Sequence, residues 1–323
     1  MKIISFDDIK QLNISPVDCY EWVDDMIAHK KESILPAKIH MSLPGNIFTN
    51  VMSSVVPASV TGLDWSACGV KIVSRYPERI PSMDSKILLQ NADSGEVLAL
   101  MDGNWITAMR TGAVAAHSAL LLARSGWDTV GMIGLGNTAR ATMLMLAHKI
   151  GRPLKVKLLR YKDQAESFIE RFKDYPELGF TIVDTYEECI RGSHVIVSSV
   201  TYFPDDIGRD EWYDEGVLAI PIHTRGFTNC DLFFDKVFAD DTGHVCDFRY
   251  FSKYKYYAEV ADVVTGSKEG RVNDRERILA YNIGVSVHDI YYAARIYDML
   301  TETGRINEIG DASLQDPTDK FWV

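Results

Sequence analysis

Between Asp128 and Asp241 the chain repeats one pattern, a short apolar run followed by a stretch with helical spacing. The strand-like runs are "TVGMIG", "KVKLLRY", "FTIVD", "HVIVSSV", "GVLAIPI" and "KVFADD". The helical stretches include "ARATMLMLAHKI", "QAESFIERFKD" and "TYEECIRG". Apolar strands interleaved with helices of this length predict an α/β unit, a parallel sheet covered on both faces.

The first strand-to-helix junction, "IGLGNTA", is the candidate ligand site. Gly134 suits a tight turn, Gly136 allows a close backbone approach, and Ala139 permits tight helix–strand packing. A helix N-terminus there offers free N–H groups and a positive dipole end to a pyrophosphate. The same spelling also makes a plain βα turn with no ligand. At the end of the second strand a dinucleotide site for NAD usually places Asp or Glu. Here "KLLRYKD" places Leu159, Arg160, Tyr161 and Lys162 before Asp163. A basic cluster suits a 2′-phosphate, so the expected cofactor is NADP or NAD, with NADP favoured; an ordinary solvated strand end is the competing reading.

The flanking texture differs. Residues 16 to 31 read as a helix with Ser15 as N-cap and Pro16 at N1, presenting Val17, Tyr20, Met26 and Ile27 on one face. From 36 to 101, "CGVKIVSRYP" and "SKILLQNADSGEVLALMD" suggest antiparallel hairpins. A small-residue helix, "NWITAMRTGAVAAHSALLLARSG", stops at Ser125-Gly126. The last helix, "GVSVHDIYYAARIYDMLTETG", shares its texture and is expected to return to the first domain. That places one domain at 1–115 with 285–323, and the other at 116–284.

Composition bounds the partners. The net charge of −11 withholds the basic face that a nucleic acid requires, and no apolar run reaches the length of a membrane span. "MKIISFDDIKQL" has no signal-peptide core, and the five scattered cysteines lack CxxC spacing, so a cytoplasmic protein with reduced thiols is expected. The eight histidines form no HxxH or HxxxH pair, and no metal is expected. The strand surface at 69 to 101 exceeds what one small domain covers, which points to a homodimer.

The blocks "GVKIVSRYP", "SGEVLALMDGNWITAMRTGAVAAHSA" and "IGLGNTARA", in this order, resemble the ornithine cyclodeaminase/mu-crystallin family over nearly the whole chain. The resemblance implies a Rossmann-type dinucleotide-binding domain inserted in a discontinuous α+β substrate and dimerisation domain. It implies that Lys71 faces the substrate nitrogen and that Arg110, of the Arg110-Thr111 pair, grips its carboxylate. A guanidinium fork suits that task, making two parallel bonds. Gly134, Gly136, Asn137 and Thr138, with Arg110, Thr111 and Ser199, are expected to border the cofactor, and Arg160, Tyr161 and Lys162 its ribose.

Two positions depart from the family. In "LPAKIHM", Lys38 stands where an arginine is usual, a point charge in place of a fork. Counting back without gaps from "FADD", the family's catalytic aspartate falls on His223. A histidine exchanges protons near neutrality but is no fixed negative partner for an ammonium group. The expected activity is therefore an NAD(P)-dependent oxidoreductase for a 2-amino acid or its imine, of ketimine reductase or amino-acid dehydrogenase type. A cyclodeaminase-type lyase and a non-catalytic nucleotide-binding protein are the alternatives.

Overall fold

The computed structural model describes residues 1–200, 203, 205–223 and 227–313. The first part of the chain builds a six-stranded sheet from β1 (Lys2–Ile4), β2 (Ile39–Met41), β3 (Phe48–Val56), β4 (Ala67–Arg75), β5 (Met83–Asn91) and β6 (Val97–Asp102). Its order is β1-β6-β5-β4-β3-β2. Strands β2 to β6 form the antiparallel hairpins expected from the alternating sequence, and β1 adds in parallel to β6. Three helices occur in this part: α1 (Phe6–Lys10), α2 (Pro16–Ala28) and α3 (Ala58–Thr61). The capping box of Ser15 with Asp18, and Pro16 in the first turn, start α2 where the sequence places its beginning. Of its predicted apolar face, Tyr20, Met26 and Ile27 are buried, while Val17 is exposed.

Helix α4 (Asn104–Leu122) leads into a second, eight-stranded sheet: β7 (Thr129–Ile133), β8 (Leu154–Leu159), β9 (Leu178–Val183), β10 (Val195–Ser198), β11 (Leu218–Pro221), β12 (Lys236–Ala239), β13 (Tyr257–Glu259) and β14 (Ile278–Tyr281). All its pairings are parallel, in the order β13-β12-β14-β11-β10-β7-β8-β9. Every residue of β7, β10, β11, β12 and β14 is buried, which is why these strands carry no inside–outside alternation. The helices of this part are α5 (Asn137–Ile150), α6 (Gln164–Arg171), α7 (Tyr186–Ile190) and α8 (Val260–Val264). This is an α/β fold with a Rossmann-type unit.

The last helix, α9 (Ser286–Glu302), leaves the second sheet and packs on the inner face of β3, β4 and β5. The chain thus returns to the first sheet, as the shared texture of the two long helices anticipated. Residue 115 lies inside α4, which runs from one sheet to the other without a break. Of the expected C-terminal segment, 314–323 lie outside the described residues.

Chain reversal places the functional crevice. From β7 the strands step outward to β8 and β9 on one side, and from β10 outward on the other. Ligands of open parallel sheets bind beyond the carboxyl ends of the strands at such a switch point. Gly134 follows β7 there, and Ser199 follows β10.

Candidate active site

A cavity of about 1330 Å³ opens at this point, between the carboxyl ends of the parallel strands and the inner face of β2, β3 and β4. On its nucleotide side stand Gly136, Asn137, Thr138 and Ser199; on its other side stand Lys38, Lys71, Arg110 and Thr111, with His223 at the end.

The two glycines of the turn have different duties. Gly134 has φ +80°, and a Cβ there would lie 2.7 Å from Val200 Cγ2, so neither the backbone nor the space tolerates a side chain. It shapes the turn and is not a lining residue. Gly136 has φ −74°, and a Cβ there would meet nothing within 4 Å. The protein has no internal need for glycine at 136; the open space adjoins the N-terminus of α5, where no side chain caps the first-turn N–H groups. Those two facts fit a pyrophosphate. Ser199 ties the next strand to the turn, its Oγ donating to the Gly134 carbonyl at 2.9 Å.

Helix α4 sets the opposite wall. A Cβ on Gly112 would lie 2.5 Å from Ala141 Cβ, so α4 and α5 touch backbone to backbone. Two residues before that contact, Arg110 is buried and directs Nε to Asp289 Oδ1 at 2.9 Å. Lys71, on the inner face of β4, is wholly buried and donates to the same oxygen at 2.8 Å. Burial and the neighbouring Arg110 push the Lys71 ammonium down to about 7, against the opposing pull of Asp289. A lysine that titrates there exchanges a proton near neutrality.

Lys38 precedes β2, and its Nζ donates to the Ile283 carbonyl at 3.2 Å. Desolvation lowers its pKa, opposed chiefly by Asp240. Asp240 is buried at the end of β12, and its Oδ2 accepts the Gly284 N–H at 2.6 Å; burial raises its pKa. His223, just past β11, places Nε2 2.7 Å from Ser198 Oγ and stacks on Phe227 with ring centroids 5.9 Å apart.

Arg160, Tyr161 and Lys162 are not among the residues that line the cavity. Arg160 turns to Asp184 and Glu166, at 2.7 and 2.9 Å, in exposed ion pairs. Tyr161 is exposed, and Lys162 adopts φ +52° with its Nζ 5.3 Å from the Tyr161 ring centroid. The sequence reading missed Asp289. Its signal was present: one carboxylate in the mostly apolar "VSVHDIYYAA", where a buried charge requires a partner.

Fold and cavity together define a two-domain dinucleotide-binding architecture with a cationic pocket facing the helix N-terminus. The chain belongs to the ornithine cyclodeaminase/mu-crystallin family, whose model matches residues 48–304. It is 25% identical to a Delta(1)-pyrroline-2-carboxylate reductase of Bacillus thuringiensis, over 96% of this chain and 99% of that protein. Among solved structures, a Thermococcus litoralis Delta(1)-pyrroline-2-carboxylate reductase in complex with NADH and L-proline superposes with a TM-score of 0.80 at 24% identity, covering 94% of this chain and 98% of that one. An archaeal alanine dehydrogenase dimer with bound NAD gives 0.80 at 20% identity, covering 94% and 97%. Among the described residues no helix is long and apolar enough to cross a membrane, and no group of His, Cys, Asp and Glu could hold a metal.

Proposed function

We propose that this protein is an NAD(P)-dependent oxidoreductase acting on a 2-amino acid or its imine, of ketimine reductase or amino-acid dehydrogenase type. One observation carries the reading: a single cavity joins Lys38, Lys71 and Arg110 to the uncapped start of α5 at Gly136. The cations suit a carboxylate and a nitrogen, and the helix start suits a pyrophosphate. The relatives named as pyrroline-2-carboxylate reductases and as an alanine dehydrogenase support the same chemistry.

When bound, the nicotinamide supplies or removes the hydride. The chain's residues do the rest. Arg110 and Lys38 hold the substrate carboxylate, and Gly136, Asn137 and Thr138 seat the pyrophosphate. Lys71 stands at the substrate nitrogen, where a group titrating near 7 can give a proton to an imine or take one from an amine. His223, oriented by Ser198, exchanges a proton at the far side of the pocket. Cyclodeamination is not proposed, because an imidazole carries no fixed negative charge to pair with the incoming ammonium of a diamino acid as a carboxylate does.

The proposed organisation is a substrate and dimerisation unit (1–115 and 285–323) enclosing a dinucleotide unit (116–284), assembled as a homodimer. The outer face of the first sheet supports the dimer. Across it, Val70, Leu88, Leu100 and Ile3 stand in one cross-strand row, with Ile39, Val51 and Ile72 in the next. Ile72 is 51% exposed and Ile39 62%. Contiguous apolar surface of this kind marks a protein contact.

The experiment is to incubate the protein with NADPH or NADH and a panel of cyclic imines, and of 2-oxo acids with amines, following nicotinamide absorbance. Stoichiometric oxidation on at least one imine supports the reading. Cofactor binding without turnover on the whole panel overturns it.

A further inference from the structure

The inference rests on a fully buried charge behind the cavity wall and on the reading of the site as a reductase. Asp289, in the first turn of α9, has no exposed surface. Its Oδ1 accepts from Lys71 of β4 and from Arg110 of α4, so three elements far apart in sequence meet at one oxygen. Both Oδ2 of Asp289 and Nη1 of Arg110 are buried without a hydrogen-bond partner.

This geometry directs the arginine. With Nε committed to Asp289, Nη1 is left without an acceptor. On that side stands Gly284, where a Cβ would lie 2.7 Å from Nη1. Any side chain at 284 would therefore press on the fork, and glycine leaves it clear. Gly284 and Arg110 both line the cavity. Nη1 has no acceptor within the protein, so a carboxylate that seats there supplies the partner it lacks.

The charges balance the same way. Lys71 faces Asp289 and the cations Arg110 and Lys38. Asp289 faces Lys71 and Arg110, with His288 and Tyr292 on its own helix. Burial alone would raise the Asp289 carboxyl, but Arg110 and Lys71 outweigh it and hold it ionised. His288 is kept neutral, pushed down to about 3 chiefly by burial and by Arg110, and adds no competing charge. Two cations share one anion, and a substrate carboxylate completes the neutralisation.

We propose that Asp289 is the positioning residue of this site: through one shared oxygen it aims the Arg110 fork at the substrate carboxylate and keeps a proton on Lys71 beside the substrate nitrogen. Asp289 does not touch the substrate itself; it acts through the two residues that do.

Two readouts test it. The first follows the Lys71 Nζ signal by nitrogen NMR in lysine-labelled protein, assigned by its loss in Lys71→Met, and needs no turnover. Asp289→Asn removes the negative partner of Lys71, so Lys71 should titrate about one pH unit or more below wild type. An unchanged titration in a variant that still binds dinucleotide overturns the assignment. The second uses Asp289→Glu, which keeps the charge on a longer arm and remains informative if the asparagine variant fails to fold. Its Lys71 titration should stay close to wild type, while KM for the imine rises at least fivefold through the displaced fork. A wild-type KM overturns the positioning of Arg110. Loss of turnover on every imine, with the Asp289→Asn shift intact, removes the reductase reading and leaves Asp289 in its role.

Discussion

His223 and Ser198 meet across two neighbouring parallel strands, with Nε2 2.7 Å from Oγ, at the carboxyl end of the sheet. Ser198 pairs in register with Pro221 of β11, so the strand ladder fixes the hydroxyl under the ring. Phe203 and Phe227 confine the ring further, with centroids 5.3 and 5.9 Å away. An imidazole so held is oriented for proton exchange. His223→Ala should lower NAD(P)H-linked turnover by about two orders of magnitude, a typical general acid–base contribution. Ser198→Ala, which only frees the ring, should cost less. Steady-state rates on an active imine measure both, and a His223→Ala protein with wild-type kcat removes the role. Ornithine should yield little or no proline, and rapid proline and ammonia release would restore the lyase reading.

Gly136 offers a clean separation of binding from folding. A Cβ there meets no protein atom within 4 Å, so Gly136→Val should fold, at a cost of about 1 kcal/mol or less for the poorer N-cap of α5. The branched side chain would occupy the space next to the α5 N-terminus, and dinucleotide affinity should fall at least tenfold, about 1.4 kcal/mol. Gly134→Val is the contrast: its positive φ and the nearby Val200 predict loss of stability as well. Calorimetric titration with thermal melts distinguishes the two, and unchanged affinity in a folded Gly136→Val protein refutes the site.

Cofactor preference tests the "LRYK" cluster. Arg160 is engaged by Asp184 and Glu166, but all three side chains are exposed, and such pairs are worth about 0–1 kcal/mol. A 2′-phosphate can compete for the guanidinium at that cost. Leu159→Asp with Arg160→Ile should therefore lower the NADPH:NADH affinity ratio. If wild type already binds NADH more tightly than NADPH, the cluster is solvated surface charge and nothing more.

The outer face of the first sheet predicts the assembly. Light scattering should return twice the chain mass of 36.3 kDa. Ile72→Asp with Leu88→Arg places charges in adjacent apolar rows without touching the protomer's interior, since both side chains are already exposed. That variant should shift towards monomer with its melting behaviour little changed. A wild-type monomer at micromolar concentration excludes the dimer.

Much of this was legible in the residues. Full burial of β7, β10, β11 and β12 removes any alternation and leaves the polar Thr129, Ser198 and Lys236 at their ends. Ser15 and Pro16 are local signals for the start of α2; α4 ends at Leu122, short of the expected Ser125-Gly126 stop. Lys71, Arg110 and His223 were found through the order of the blocks around them. Strand β14 was not, because "ILAY" is too short to show a period, and its place between β11 and β12 follows from tertiary pairing alone. Asp289 was missed for a related reason: its partners stand 218 and 179 residues away, and only the return of α9 brings them together. The exposed ends of Arg160 were unreadable too, since the neighbouring strand contributes Asp184.

The close approach of Gly112 to Ala141 has a consequence for what the enzyme can accept. Arg110 sits on one of these helices, and the other begins beside Gly136. With room at Gly112 for a hydrogen but not for a Cβ, the two helix backbones lie in direct contact, and such close packing resists their sliding past one another. In the proposed site, this contact therefore fixes the separation between the carboxylate seat and the pyrophosphate seat. On the proposed reading, substrates would be sorted by whether their reacting carbon falls within reach of the nicotinamide once the acid group is gripped. Enlarging Gly112 would recalibrate that separation, changing selectivity from a position that contacts neither ligand.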